Sequence, residues 1–134
     1  MLVDTGPIVA LIDKRDGLHQ KATRVADALA DQLLTTEACI TEALYFIYDA
    51  GGWSAQRVLR DMVSNGDIRV LPSAGPLNAR AFAYMERFRD IPCDYADATL
   101  LVAAEETGVR QIFTFDKHFY AYRLTNGNHL DVIS

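Results

Sequence analysis

The sequence has little cysteine and no long apolar run. Its only two cysteines, Cys39 and Cys93, lack the paired spacing of disulfide frameworks and zinc sites. No apolar stretch approaches the roughly 18 uncharged residues of a membrane span, and the opening residues are too polar for a secretory signal. We therefore expect a reduced, cytoplasmic protein without a membrane segment, in which both cysteines are small core residues.

Positive charge is also scarce, with 13 Lys and Arg residues against 18 Asp and Glu and a net charge of −5. This balance argues against loose, field-driven binding of nucleic acid. It does not exclude a nucleic-acid enzyme, because carboxylates clustered at a metal site make a chain acidic and bound cations reverse the local field. The three histidines, His19, His118 and His129, have no ligand spacing and are expected to be surface or packing residues.

The length of 134 residues and an apolar content of 50% fit one domain, residues 1–134, with a core of its own. Strand-like and helix-like segments alternate in the order β-α-α-β-α-α-β-α-α-β-β. Such alternation predicts an α/β fold with a short, mostly parallel sheet and helices on both faces. The predicted strands cover residues 2–4, 33–36, 67–72, 110–115 and 129–134, and the predicted helices cover 8–14, 18–33, 39–52, 54–66, 76–90 and 95–108.

Two acids follow predicted strands. Asp4 ends the first strand, and Asp116 lies just past the strand "QIFTF". Ligands bind beyond the carboxyl ends of parallel strands, so both acids would project toward a ligand site if these strands are neighbours. Each could also be a turn residue or a helix cap, roles that Asp favours.

Asp94 and Asp97 open the helix "YADATLLVAAEETG" and match a capping box, which also suits the helix dipole. Asp97 is followed at once by "ATLLVAA", where the helix turns into the core. A carboxylate there needs a partner, and a metal ion or a backbone amide would serve.

Glu42 lies in the apolar stretch "ACITEALYFIY". On a helical wheel it falls opposite the face of Ile40, Leu44 and Ile47, and it could be exposed or covered by the aromatic residues beside it. The remaining charges that fall on polar faces or turns are interpreted as solvated, among them Asp13, Arg15 and Asp16.

A group of carboxylates at the edge of an α/β sheet suits Mg²⁺ or Mn²⁺, which prefer oxygen ligands and retain several waters. One or two such ions activate water, polarise phosphorus and neutralise a leaving oxygen. The acids therefore favour phosphodiester hydrolysis.

Four segments in this order resemble the PIN-domain family, and specifically its VapC-type toxin ribonucleases. The resemblance spans nearly the whole chain and implies a PIN-like three-layer fold and a Mg²⁺- or Mn²⁺-dependent endoribonuclease. The segments are "LVDTGPIVALID", "LLTTEACITEALY", "PCDYADATLLVAAEETG" and "IFTFDKHF".

The resemblance also implies roles for individual residues. Four acids match the family's acidic pocket, and three of them would be direct metal ligands, with Glu42 as a further ligand or an orienting group. Two threonines match hydroxyl residues that flank these acids, and Asp94 lies beside them as a cap that could reach the site through water. The pocket acids are Asp4, Glu42, Asp97 and Asp116; the direct ligands are Asp4, Asp97 and Asp116; the supporting residues are Thr5, Asp94 and Thr114.

VapC-type members usually dimerise and are silenced by a small antitoxin that reaches the acidic pocket with a basic side chain. The resemblance thus implies an RNA substrate, an antitoxin partner and a homodimer. Three basic residues after the last acid could contact RNA phosphate or be ordinary surface charges, and the aromatic residues near Glu42 could form a partner surface or belong to the core. The basic residues are Lys117, His118 and Arg123, and the aromatic residues are Tyr45, Phe46, Tyr48 and Trp53.

Three other readings compete with the nuclease. "LVDTG" contains the Asp-Thr-Gly of aspartic proteases, but those folds are nearly all β, whereas this chain has clear helical periods. A phospho-acceptor domain needs an Asp pair at its first strand, and "LVD" has one acid. A PIN fold that only binds partners is the third alternative, and the intact set of acids argues against it.

Overall fold

The structure, a computed structural model, describes residues 1–29, 31–73 and 75–134. In these residues strands and helices alternate as predicted, and no described helix is long and apolar enough to cross a membrane. The strands are Leu2–Val3 (β1), Leu33–Thr36 (β2), Ile68–Leu71 (β3), Gln111–Phe113 (β4) and Asp131–Ile133 (β5). The helices are Thr5–Ile12 (α1), His19–Leu29 (α2), Glu37–Ser64 (α3), Leu77–Arg87 (α4) and Tyr95–Thr107 (α5), with a 3₁₀ helix at Lys117–Tyr120.

The five strands form one sheet in the order β3-β2-β1-β4-β5, and every neighbouring pair is parallel. The chain winds outward from β1 to β2 and β3, and then continues on the other side of β1 with β4 and β5. The strand order therefore reverses between β1 and β4. The carboxyl ends at such a switch point form the crevice in which parallel sheets bind ligands.

Helices cover both faces of the sheet, because successive strand residues point to opposite sides. Leu2 and Ile112 belong to the core cluster formed with α4 and α5. Their chain neighbours Val3 and Phe113 belong to a second cluster formed with α1, α2 and α3. All four side chains are completely buried, and the two clusters confirm the predicted three-layer α/β architecture.

Several element boundaries differ from the prediction. Helix α1 begins at Thr5, directly after Asp4. Pro7 is tolerated in its first turn, because the N–H that proline lacks would have no helical partner there. Helix α2 ends at Leu29, well before the predicted residue 33, and residue 30 lies outside the described residues. The 3₁₀ helix after Asp116 was not predicted.

The predicted break between two helices near residue 52 is present inside α3. Gly52 adopts φ 63° and ψ −155°, a conformation that glycine reaches without steric cost, and helical segments continue on both sides. The segment before this glycine carries Glu42, and it packs against α1, which begins at Asp4.

Burial decides the open questions on cysteines and aromatic residues. Cys39 and Cys93 are free and buried, which confirms them as core residues. The interpretation of the aromatic residues near Glu42 as core is wrong, because each of them is at least half exposed. The exposed fractions are 75% for Tyr45, 52% for Phe46, 62% for Tyr48 and 57% for Trp53.

Candidate functional site

Asp4 lies at the carboxyl end of β1 and is also the N-cap of α1. Its Oδ1 accepts a hydrogen bond from the Thr5 amide at 2.8 Å. Its Oδ2 accepts one from the Thr114 hydroxyl at 2.8 Å. The cap and site interpretations of this residue are thus compatible, because the carboxylate caps the helix at the sheet edge where ligands bind.

Thr114 joins Asp4 to Asp116. The threonine follows β4 directly, and its hydroxyl donates to Asp4 while accepting a hydrogen bond from the Asp116 amide at 3.0 Å. The pairing of β1 with β4 places these strand ends side by side. Asp116 in turn caps the 3₁₀ helix by accepting from the His118 amide at 2.9 Å.

Glu42 faces the site, a point that the helical wheel left open. It is half-buried on α3, and its Oε1 accepts a hydrogen bond from the Thr5 hydroxyl at 2.8 Å. Thr5 therefore touches the glutamate through its side chain and Asp4 through its backbone amide. The two predicted supporting threonines, Thr5 and Thr114, both bond directly to predicted site acids.

The capping box predicted at Asp94 and Asp97 is present. Asp94 Oδ1 accepts from the Asp97 amide at 2.8 Å, and Asp97 Oδ2 accepts from the Asp94 amide at 3.3 Å. Asp97 is nevertheless only 8% exposed and begins the buried part of α5, whereas Asp94 is exposed. The backbone amide is thus one partner of the buried carboxylate.

An open cleft of about 710 Å³ lies over this edge of the sheet, and three of the four predicted pocket acids line it. Asp97 is the exception and is not among the lining residues. Asp13, Arg15 and Asp16, interpreted from the sequence as ordinary solvated charges, also line the cleft. Among the described residues that line the cleft, Arg15 is the only basic one, and the others include Asp4, Glu42, Phe46, Asp49, Asp94 and Asp116.

A second cavity of about 420 Å³ between α3, α4 and α5 is more enclosed and contains none of the four pocket acids. Its lining is mainly apolar, with Leu71, Leu77 and Val102 among the contacts. Enclosure alone would favour this cavity, although it is smaller than the open cleft, but the convergent carboxylates that carry chemistry lie in the open cleft.

Burial and the nearby charges raise the pKa values of Asp4 and Asp97. Burial, opposed by hydrogen bonds from Thr114 and Thr5 and supported by the charges of Asp116 and Glu42, raises the pKa of Asp4 to about 6. Burial, together with the charges of Asp94, Asp4 and Asp116, raises the pKa of Asp97 to about 8. The acids therefore influence one another electrostatically, and a cation among them would relieve the repulsion.

The residues fit a hard divalent cation in the chemistry of their donors. Asp4, Asp97 and Asp116 offer only carboxylate oxygens, the ligands that Mg²⁺ and Mn²⁺ prefer. Among the described side chains, no three His, Cys, Asp or Glu residues are grouped closely enough to form a complete metal cluster as they stand. The carboxylates would have to turn toward a bound ion, for which the open cleft leaves room.

The three basic residues proposed for RNA contact are exposed beside the site and do not line the cleft. His118 Nδ1 lies 3.1 Å from Asp116 Oδ1. Arg123 donates to the carbonyl oxygens of Tyr120 and Tyr122 at 2.9 and 2.8 Å. Lys117 lies in the first turn of the 3₁₀ helix. Contact of these three residues with RNA stays a prediction.

Besides Asp13, Arg15 and Asp16, sequence reasoning did not assign Phe46 or Tyr122 to the site. Phe46 lines the cleft although it is one of the exposed aromatic residues of α3. Tyr122 is completely buried, and its hydroxyl lies 3.4 Å from Oδ2 of Asp97. The helical wheel places Phe46 on the face of Glu42, four residues away, but does not assign it to the site. Nothing in the sequence links Tyr122 to Asp97.

The fold and the site define a three-layer α/β protein with an acidic cleft at the switch point of a parallel sheet. The model of the PIN domain family matches residues 1–124, and the chain belongs to that family, which confirms the resemblance seen in its motifs. No curated protein matches the sequence.

Among solved structures, the fold is similar to that of VapC20 of Mycobacterium tuberculosis, described as a toxin that cleaves the sarcin-ricin loop. The TM-score is 0.82 at 21% sequence identity, over 90% of this chain and 92% of that one. At this identity the likeness concerns the fold. The parallel α/β sheet shows that the aspartic-protease interpretation of Asp-Thr-Gly is wrong, because those enzymes are built almost entirely of β-strands.

Proposed function

We propose that this protein is a Mg²⁺- or Mn²⁺-dependent endoribonuclease that hydrolyses RNA phosphodiester bonds. The observation that carries the proposal is the link from Asp4 through the Thr114 hydroxyl to Asp116, at the switch point of a PIN-domain sheet. The structurally similar VapC20 is a toxin that cleaves the sarcin-ricin loop, which supports the same reaction class.

Asp4, Asp97 and Asp116 would hold the cation, and Glu42 would complete the acidic pocket. A bound divalent ion supplies activation of water and charge neutralisation at the phosphate. The chain itself positions the carboxylates: Thr114 orients Asp4, Thr5 orients Glu42, and the α5 cap contributes a long contact to Asp97. Such outer hydrogen bonds set the direction in which a ligand oxygen points.

Three further assignments belong to this proposal. The protein acts as one domain over residues 1–134, resides in the cytoplasm and is the toxin of a toxin–antitoxin pair. The cleft is lined by one cation, Arg15, in the part of the chain that the structure describes, and it favours an antitoxin that supplies a basic side chain to the acids. The exposed aromatic residues of α3 are available for a homodimer, which sedimentation equilibrium would detect as twice the chain mass.

The proposal is tested by RNA cleavage with the purified protein in Mn²⁺ and in EDTA. We expect cleavage only with the ion, and a loss of at least about 100-fold in Asp4→Asn and Asp116→Asn, because each variant removes a ligand. Asp27→Asn, an exposed change on α2, is the matched control and should cleave normally. If the folded protein neither binds Mn²⁺ nor cleaves RNA, the alternative of a PIN fold that only binds partners is favoured.

A further inference from the structure

Tyr122 is held rigidly beneath the acidic site. Its side chain is completely buried, and its ring centroid lies 5.1 Å from that of Phe88 and 5.1 Å from that of Phe119. These contacts on two sides leave the ring little freedom to turn, since buried aromatic rings are packed at near-crystalline density. The position of the hydroxyl is therefore determined by the core.

The Tyr122 hydroxyl faces two acceptors on the segment that leads into α5. It donates to the carbonyl oxygen of Pro92, and it lies 3.4 Å from Oδ2 of Asp97. The same Oδ2 accepts the Asp94 amide at 3.3 Å. Both contacts to Oδ2 are long, so neither alone would hold the carboxylate in one orientation.

The two contacts fall on the same oxygen of Asp97. Within the part of the chain that the structure describes, Oδ1 accepts no hydrogen bond, so this oxygen is available to a ligand. The arrangement differs from that of Asp4, where both oxygens already accept hydrogen bonds. The direction of Oδ1 of Asp97 therefore depends on the contacts that hold Oδ2.

We propose that Tyr122 is a positioning residue for Asp97. Its single hydroxyl proton goes to the Pro92 carbonyl oxygen and fixes the segment that leads into α5, and the same hydroxyl lies against Oδ2. This placement keeps Oδ1 presented to a divalent cation. This inference rests on the proposed function, because the cation is the one that the acidic site would hold. Tyr122 touches no reacting atom in this role. It acts by fixing the direction of a ligand, as outer-sphere partners of metal ligands do.

The test is Tyr122→Phe, which removes only the hydroxyl and retains the packed ring. Titration of Mn²⁺ into the metal-free proteins by calorimetry should show affinity reduced by about 10- to 100-fold, the usual effect of losing such a partner. Cleavage at saturating Mn²⁺ should return close to the wild-type rate, because the carboxylate itself remains. Tyr120→Phe, an exposed change two residues away, is the matched control and should bind Mn²⁺ normally.

The outcomes separate the two proposals. A purely structural tyrosine would lower the melting temperature of Tyr122→Phe but leave its Mn²⁺ affinity unchanged, and that result would overturn the positioning role alone. Wild-type protein that binds no Mn²⁺ would overturn the metal site, and the positioning role with it. Circular dichroism at the titration temperature verifies that both variants are folded. If Tyr122→Phe melts too early for the titration, Phe88→Leu replaces it. This change loosens the packing that fixes the hydroxyl, so it should also weaken Mn²⁺ binding, by about 10-fold. Unchanged affinity in folded Phe88→Leu would overturn the positioning role.

Discussion

The Thr114 hydroxyl donates to the Asp4 carboxylate at 2.8 Å, although the two residues lie 110 positions apart in the chain. This bond crosses the switch point between β1 and β4. It is buried, and the same hydroxyl accepts the Asp116 amide, so one small side chain orders two acids from opposite ends of the sequence.

Thr114→Val is expected to damage both activity and stability. The substitution retains the shape of the side chain but leaves Asp4 Oδ2 and the Asp116 amide without their partner. The free energy of unfolding should fall by about 1–3 kcal/mol, and cleavage by about 10- to 100-fold. Urea unfolding and RNA cleavage measure the two effects. Thr41→Val, an exposed change on α3, should alter neither, and an equally active Thr114→Val would show that the link is dispensable.

The metal-free protein should lose stability as the pH rises. Burial raises the pKa of Asp97 in the folded protein from its ordinary value of 3.8 to about 8. Between these pH values the folded protein holds a proton on Asp97 that the unfolded chain has lost. The corresponding stability is fully present below pH 3.8 and is lost as the pH rises through about 8.

Asp97→Asn should lack this loss. In EDTA, the unfolding free energy of the variant minus that of the wild type should increase by on the order of 1–3 kcal/mol between about pH 5 and about pH 9. Chemical unfolding at the two pH values measures the difference. A constant difference between the two proteins would mean that the carboxylate ionises as freely when folded as when unfolded.

Mn²⁺ binding should strengthen as the pH rises through the range in which the acids lose their protons. The ion must displace protons from Asp4, with a pKa of about 6, and from Asp97, with a pKa of about 8. Calorimetry in two buffers of different ionisation enthalpy measures the protons released, and Asp97→Asn should release fewer. Affinity that does not change between these pH values would place the ion elsewhere.

Substitutions at Asp94 should separate its cap from any catalytic role. Asn caps helices as well as Asp does, so Asp94→Asn should retain the wild-type stability to within about 0.5 kcal/mol, whereas Asp94→Ala should lose about 1 kcal/mol. Thermal unfolding checks this order. If Asp94→Asn is stable but cleaves RNA poorly, the carboxylate serves the site as well as the helix.

The parts of the fold that could be predicted were those specified by neighbouring residues. The run Leu33–Thr36 is a strand with the predicted boundaries, and Asp94 with Asp97 forms the predicted capping box. The start of α1 was missed because Thr-Gly-Pro is typical of a turn, whereas the packing of Ile8 in the core favoured a helix from Thr5 onward. Tertiary burial outweighs such local preferences.

The sequence by itself determined the alternation of strands and helices, and with it the parallel sheet that brings Asp4 and Asp116 to one edge. Periodicity and capping act over a few residues and can be read along the chain. Only the tertiary structure decided that Glu42 faces Thr5, that the aromatic residues of α3 are exposed, and that Tyr122 reaches Asp97. Those outcomes depend on which helix face meets which layer, and this is settled by packing between residues far apart in the chain.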